Sequence, residues 1–266
     1  MVSQNIEMII KTITDINISE LSIYKQLREN AFRDDNSFIA DSPKVVNLLL
    51  KEDIEVKSIL ATQEYYNEFS ELIASKNIPK LYVVSKDEMQ KIVGHKIHHN
   101  CMMHGIRPED TSLDDLDNNI IMLDNITSTE NIGSITRSMA GIGVGSFLSP
   151  KLSPHPYSRR ALRVSMGYVS HLKYHIYDEI IPTCQELKKR GYKIFAAEVQ
   201  ENSTPLWHVR VPQKWVLIMG HEGRGISQKV LDICDEVVTI EMQEGVKSFN
   251  VGVAASIMMY RFTQKV

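Results

Sequence analysis

The sequence predicts an α/β fold in two parts, a smaller mixed unit followed by a larger one built on a mostly parallel sheet. Short apolar runs of strand length alternate with segments of helical period along most of the chain. The runs of the second half are apolar on both faces, as strands covered by helices on both sides must be. One acidic, polar stretch, RPEDTSLDDLDNN at 107–119, breaks the alternation. It sets the expected domains at 1–106 and 119–266, with a linker at 107–118.

In the first part, FIAD (38–41) is a short strand. SPKVVNLLLKED (42–53) follows as a helix, with Ser42 as N-cap and Pro43 at the first helical position, where its missing N–H costs nothing. VKSILAT (56–62) reads as a strand, QEYYNEFSELIASKN (63–77) as an amphipathic helix, KLYVVS (80–85) as a strand and KDEMQKIVG (86–94) as a short helix. In the second part, NIIMLDNI (119–126) opens the sheet. NIGSITRSMAGIG (131–143) is a helix closing on glycines, VGSFLSP (144–150) a strand and SRRALRVSMGYVSHL (158–172) a helix. KYHIYD (173–178), KIFAAEVQ (193–200), WVLIMG (215–220) and VVTIEM (237–242) are further strands. Helices at 181–191, 226–236 and 248–262 separate or follow them. Parallel sheets of this kind bind ligands at the carboxyl ends of their strands, so the strand-to-helix junctions are where chemistry is expected.

The 266 residues allow one or two domains, and 43% hydrophobic with 24% charged residues is ordinary globular composition. The net charge of −3 argues against a histone-like polyanion binder but leaves room for a local basic face. Three widely spaced cysteines, Cys101, Cys184 and Cys234, do not make a disulfide framework. The N-terminal MVSQNIEMIIKTITD lacks the pattern of a signal peptide, and no apolar run reaches membrane-span length. A cytoplasmic protein without a membrane partner is expected.

Three junctions concentrate polar and glycine residues. In the first, Asn131 and Gly133 start a helix, and Arg137 lies one turn beyond Gly133 on the same face. Singly, these are a helix cap and a surface arginine. In the second, Gly220-His221-Glu222-Gly223-Arg224-Gly225 follows an apolar strand. A dinucleotide loop would not place a carboxylate where phosphate must sit, so Glu222 points to a ligand with hydroxyls or positive charge, or else to a plain cap of the turn. In the third, Ile240, Met242 and Gly245 precede Ser248, Phe249 and Asn250. These open a helix of small residues, Gly252, Ala254, Ala255 and Ser256, that is otherwise just a tightly packed terminal helix.

In this order, Asn131-x-Gly133-x-x-x-Arg137, Gly220-x-Glu222-Gly223-x-Gly225 and Ile240-x-Met242 with Ser248-Phe249-Asn250-Val251 resemble the three motifs of SpoU-type (TrmH-like) RNA ribose methyltransferases of the SPOUT superfamily. The resemblance covers about residues 118–266. FIADSPKVVNLLL and GHKIHHNCMMHGIRP resemble, less specifically, the ribosomal-protein-like substrate-binding domain of ribosomal RNA members such as thiostrepton-resistance methyltransferases. SPHPYSRRALRVSMG (153–167) resembles their segment between the first two motifs.

The resemblance implies an α/β domain with a deep trefoil knot, a homodimer through that domain, and transfer of a methyl group from S-adenosyl-L-methionine to a ribose 2′-hydroxyl. Ribosomal RNA is the expected substrate and transfer RNA the alternative; DNA is not expected. It implies cofactor contacts at Gly220, Glu222, Gly225, Ile240, Met242, Phe249 and Asn250. It implies catalytic roles for Asn131, Arg137, Glu222, Ser248 and Asn250. The family assigns Arg137 to activating the hydroxyl. Because arginine stays protonated, it is read here as gripping the neighbouring phosphate and stabilising the developing alkoxide. A direct contact of Glu222 with Asn131 or Arg137 is left open at this stage.

Within the family frame, Arg159, Arg160 and Arg163 form an RNA-binding stripe, although a charge run is by itself a solvated face. The chain departs from the family at Glu241, where proline is usual, at Phe249, where leucine is commoner, and at Asn100, where glycine is frequent. Two rival classes stand beside the enzyme. One is a non-catalytic RNA-binding protein with an idle cofactor pocket, disfavoured by the intact polar motif centres. The other is a nucleotide-dependent enzyme, disfavoured by Glu222. His95, His98, His99, Cys101 and His104 lack a distant ligand pair and the spacing of a metal finger, so they read as a domain-edge strand carrying histidines and no metal is expected. Elemental analysis of the purified protein is expected to find no stoichiometric zinc, and one zinc per chain would reinstate that cluster as a metal site.

Overall fold

The computed structural model describes residues 8–25 and 35–264. The first seven residues of the N-terminal stretch read above lie outside the described residues. By internal contacts the chain divides into two units, 1–109 with 157–170, and 110–156 with 171–266.

The first unit holds the strands β1 (Ile9–Thr12), β2 (Ser37–Asp41), β3 (Glu55–Ala61), β4 (Lys80–Val83) and β5 (Cys101–Ile106) in the order β1-β4-β3-β5-β2. β1, β4 and β3 run parallel, and β5 runs antiparallel to both β3 and β2. The histidine-bearing segment is therefore an interior strand of the sheet with its approach loop, and it is the last strand before the 109/110 boundary. Two of its side chains are already committed: His104 Nε2 lies 2.8 Å from Ser37 Oγ and His99 Nε2 lies 3.3 Å from Asp41 Oδ2. Helices α1 (Ser22–Lys25), α2 (Pro43–Leu49), α3 (Gln63–Ala74) and α4 (Lys86–Val93) accompany the sheet. Thr62 caps α3 through Tyr65 N–H, and Ser85 with Glu88 forms a capping box on α4. Ser42 precedes α2 as expected but makes no side-chain cap hydrogen bond.

The predicted helix at 158–172 is short. α6 (Arg159–Val164) ends because Met166 and Gly167 take left-handed φ angles of 58° and 85°, and a 3-10 turn, 168–171, follows. This segment packs within the first unit, whereas the sequence reading placed it in the second. The reason is Asp41, a fully buried carboxylate at the end of β2. Arg159 Nη1 reaches it at 2.9 Å, Arg163 Nε at 3.2 Å and His99 Nε2 at 3.3 Å. Burial works against the charge of Asp41, but His99 and the two arginines outweigh it and hold the carboxyl below the usual range. Two of the three arginines read as an RNA stripe are thus committed to an internal acid.

Among the described residues, the second unit contains seven strands, all parallel: β6 (Asn119–Leu123), β7 (Ser146–Pro150), β8 (Lys173–Tyr177), β9 (Lys193–Ala197), β10 (Thr204–Pro205), β11 (Trp215–Met219) and β12 (Glu236–Thr239). Their order is β10-β12-β9-β11-β6-β7-β8. β11 enters between β6 and β9, pairing both along its full length. One face packs Ile120, Met122, Ile194, Val216 and Ile218 against Cys184 and Leu187 of α7 (Ile180–Lys189) and Val230 and Leu231 of α8 (Gln228–Leu231). On the opposite face, Phe195 and Trp215 meet Phe262 of α9 (Val251–Thr263) edge-on at 5.0 and 5.2 Å. The small residues of α9 serve its packing on α5 (Thr129–Ile142). A Cβ on Gly252 would lie 3.0 Å from Ser134 Oγ, and Ser256 Oγ donates to Ser138 Oγ at 2.8 Å.

The predicted linker is not free chain. Thr111 N–H donates to Tyr174 O, Asp110 accepts from Ile176 N–H, and Leu113 and Leu116 join the core of the second unit. Helix 226–236 reduces to the single turn of α8.

Asp41→Asn is expected to destabilise the first unit by about 3 kcal/mol in urea unfolding, because it leaves paired cations without their counter-charge. The folded carboxyl ionises below its unfolded value of about 4, so this contribution is full above that pH and lost as pH falls through the folded value. The variant should lack that acid limb; an unchanged stability profile would refute the clamp.

Candidate active site

A cavity of about 660 Å³ opens at the carboxyl ends of β9, β11 and β12. Gly220, Glu222 and Gly225 line it from the turn after β11, and Ile240, Met242, Ser248, Phe249 and Asn250 from the segment after β12. A cavity of about 750 Å³ in the first unit contains none of the motif residues.

The turn after β11 folds back on itself. Gly225 N–H donates to His221 O at 2.9 Å, and His221 Nδ1 accepts the N–H groups of Gly223 and Arg224. Gly220 is required because a Cβ there would stand 2.7 Å from the Gly225 carbonyl carbon and 2.9 Å from Ile226 N. Gly225 has φ of 65°, which a side chain resists, and a Cβ there would meet Glu198 Oε2 at 2.2 Å.

Two carboxylates that the motif reading missed hold this turn from the strands on either side. Glu198, just after β9, accepts Ile226 N–H at 2.8 Å. Asp124, just after β6, is buried, accepts from Asn125 at 2.8 Å and from the backbone N–H of Ser227, and its burial raises its carboxyl above the usual range. The signal available in the sequence was positional: each is an acid placed directly after an apolar strand, beside the glycine turn in the sheet.

Glu222 reaches in the other direction. Its carboxylate accepts from Asn131 Nδ2 at 2.9 Å, Ser128 N–H at 3.2 Å and Thr127 N–H at 3.4 Å. Partial burial alone would raise it, and these hydrogen bonds with that of its own backbone more than offset burial and lower it. Asn131 Oδ1 in turn accepts from Asn250 Nδ2 at 3.0 Å. Asn250 Oδ1 caps α9, accepting the N–H groups of Gly252 and Val253 at 2.9 and 3.3 Å. One chain of hydrogen bonds thus links the three junctions, Glu222 to Asn131 to Asn250. It resolves the question left open above: Glu222 braces Asn131, not Arg137.

Arg137 is exposed on α5, makes no hydrogen bond or ion pair among the described residues, and does not line the cavity. Ser248 is exposed on the cavity rim, and Glu241 is exposed as well. Arg159, Arg160 and Arg163 belong to the first unit.

The sequence model of the SpoU rRNA Methylase family matches residues 118–260. A putative TrmH family tRNA/rRNA methyltransferase of Staphylococcus haemolyticus is 32% identical over 146 residues, 55% of this chain. The matched region spans 58% of that relative's length. The fold is similar to an AdoMet-bound rRNA methyltransferase from Sinorhizobium meliloti, with a TM-score of 0.82 at 16% identity over 95% of this chain and 97% of the other. It is also similar to the SpoU methyltransferase AviRb from Streptomyces viridochromogenes in complex with AdoMet, with a TM-score of 0.80 at 18% identity over 92% and 97%.

A double-mutant cycle on Asn131→Ala and Asn250→Ala, read by chemical unfolding, is expected to give a coupling of about 1 kcal/mol, the net value of one such hydrogen bond. Strict additivity would remove that link from the chain.

Proposed function

The chain belongs to the SpoU rRNA methylase family, and from that membership we propose that it is an enzyme moving the methyl group of S-adenosylmethionine to a ribose 2′-hydroxyl of RNA. The observation that carries this is the hydrogen-bond chain that joins all three motif centres beside one cavity.

The residues present fit that methyl donor. The glycine turn leaves backbone N–H and C=O groups uncovered for an adenosine, and Ile240, Met242 and Phe249 supply apolar surface for its base. The carboxylates of Glu198 and Glu222 on the lining disfavour a phosphate but suit hydroxyls and a sulfonium. When bound, S-adenosylmethionine supplies an electrophilic methyl carbon. The protein's part is positioning, which alone supplies a large share of the barrier lowering in displacement reactions. Glu222 and Asn131 hold the first motif helix against the turn, and Asn250 sets the start of α9. A guanidinium is a poor proton acceptor, so the 2′-hydroxyl proton passes to solvent water and not to Arg137. With no hydrogen-bond or ion-pair partner among the described residues, it is available to grip the phosphate beside the reacting ribose and to stabilise the oxygen as negative charge develops. Ser248, on the rim, contributes a further hydroxyl to the same contacts.

Ribosomal RNA is the proposed substrate, supported by likeness across both units to the Sinorhizobium rRNA methyltransferase. Transfer RNA is the second reading, kept by the tRNA/rRNA designation of the staphylococcal relative. We also propose the trefoil knot, supported by the insertion of β11 between strands laid down earlier, and a homodimer. The dimer is supported by Val253 and Tyr260, exposed two turns apart on the outer side of α9, and by exposed Trp207, whose carbonyl accepts from Arg261.

Arg137→Ala is expected to reduce methyl transfer to RNA by about 100-fold or more while leaving S-adenosylmethionine binding unchanged, measured by labelled-methyl incorporation and calorimetry. Full activity in that variant would contradict the assignment.

A further inference from the structure

We propose that Glu198 is the group through which this chain recognises the ribose hydroxyls of its methyl donor, an inference that rests on reading the cavity as an S-adenosylmethionine site. The position of Glu198 is fixed. Its backbone N–H continues the β9–β12 ladder, donating to Val238 O at 3.1 Å. Its carboxylate then turns toward the glycine turn that follows the neighbouring strand β11, accepting Ile226 N–H at Oε2, 2.8 Å, and Val199 N–H at Oε1, 3.0 Å. Gly225 passes beside it where no side chain would fit.

Three carboxylates surround the turn, and their capacities differ. Asp124 is buried and does not line the cavity. Glu222 lines it, but its oxygens are taken by three donors from the segment that opens α5. Glu198 lines the cavity, makes no ion pair among the described residues, and uses two acceptor positions of the roughly four that a carboxylate offers. It therefore brings unused acceptors, on a rigid strand end, to a pocket suited to a nucleoside.

A ligand group facing this carboxylate must be a donor. Phosphate and carbonyl oxygens would be repelled, whereas a vicinal diol presents two O–H groups. Dinucleotide-binding sheets solve the same problem with an acid that binds a ribose hydroxyl. Here the acid reaches the ribose from the strand beside the glycine turn, not from a position about 20 residues further along the chain.

The test is calorimetric binding of S-adenosylhomocysteine and its 2′-deoxy and 3′-deoxy analogues to wild type and to Glu198→Gln. Loss of at least one hydroxyl is expected to weaken binding to wild type by about tenfold, the scale of a hydrogen bond to a charged group. Glu198→Gln is expected to weaken the parent ligand similarly and to respond to that deoxy analogue by less than about threefold, so that the two losses do not multiply. Deoxy analogues that bind wild type as well as the parent overturn the proposal without recourse to any variant. Losses that multiply in full assign Glu198 to bracing the turn alone and overturn it too. A variant that loses affinity for S-adenosylmethionine but not for S-adenosylhomocysteine would give Glu198 to the sulfonium charge instead. No binding of the parent ligand to wild type removes the cavity reading itself, and the proposal with it.

Discussion

The hydrogen bond between Asn131 and Glu222 is the contact on which the rest of the site depends. It joins the turn after β11 to the start of α5, over 91 residues of sequence. Without it, Glu222 would keep only the backbone N–H groups of Thr127 and Ser128, and no side-chain bond would connect the second motif to the Asn131–Asn250 pair. With it, Asn131 is oriented so that its Oδ1 accepts from Asn250, and Asn250 in turn fixes the first turn of α9. Each amide donates with one end and accepts with the other, so a change of state at Glu222 is felt at the third motif. Because that carboxyl is held below its usual range, it remains an acceptor to lower pH than an unpaired glutamate would.

The turn itself is held by sheet topology. β11 has β6 and β9 as its two neighbours, and each ends in an acid, Asp124 and Glu198, that takes a backbone N–H just past the glycines. Glycines at 220 and 225 let the chain fold tightly enough to be reached from both sides. A turn held from both sides by Asp124 and Glu198, and carrying Glu222 itself, is fixed in place and presents two carboxylates beside Arg224 to the cavity. Those carboxylates disfavour phosphate ligands and suit the proposed methyl donor. The uneven use of these acids, with Asp124 buried, Glu222 spent and Glu198 partly free, distinguishes bracing from recognition within one cluster.

Much of this was legible in the sequence, for reasons that can be stated residue by residue. The apolar runs that became β6, β7, β9 and β11 are buried along most of their length on both faces, so their pattern does not depend on neighbours. Gly220, Glu222, Gly225, Ile240, Met242, Ser248, Phe249 and Asn250 come together because each follows a strand of one parallel sheet. The parts that were not legible depend on contacts distant in sequence. Asp41, His99, Arg159 and Arg163 carry no local sign of one another, so the arginines read as a stripe and α6 was assigned to the wrong neighbour. β1 is four exposed residues with no alternation to mark it. The end of α6 hangs on the left-handed turn at Met166, which helical periodicity cannot register. Asp124 and Glu198 look like ordinary strand-end acids until the strand order puts them on either side of β11.

The most direct measurement of the central claim is a map of ribose 2′-O-methyl groups in ribosomal and transfer RNA from cells with and without the gene. The account predicts that at least one such mark disappears on deletion and returns when the chain is restored, with base methylation unchanged. An identical ribose map in the two strains, or a change confined to methylated bases, would contradict it.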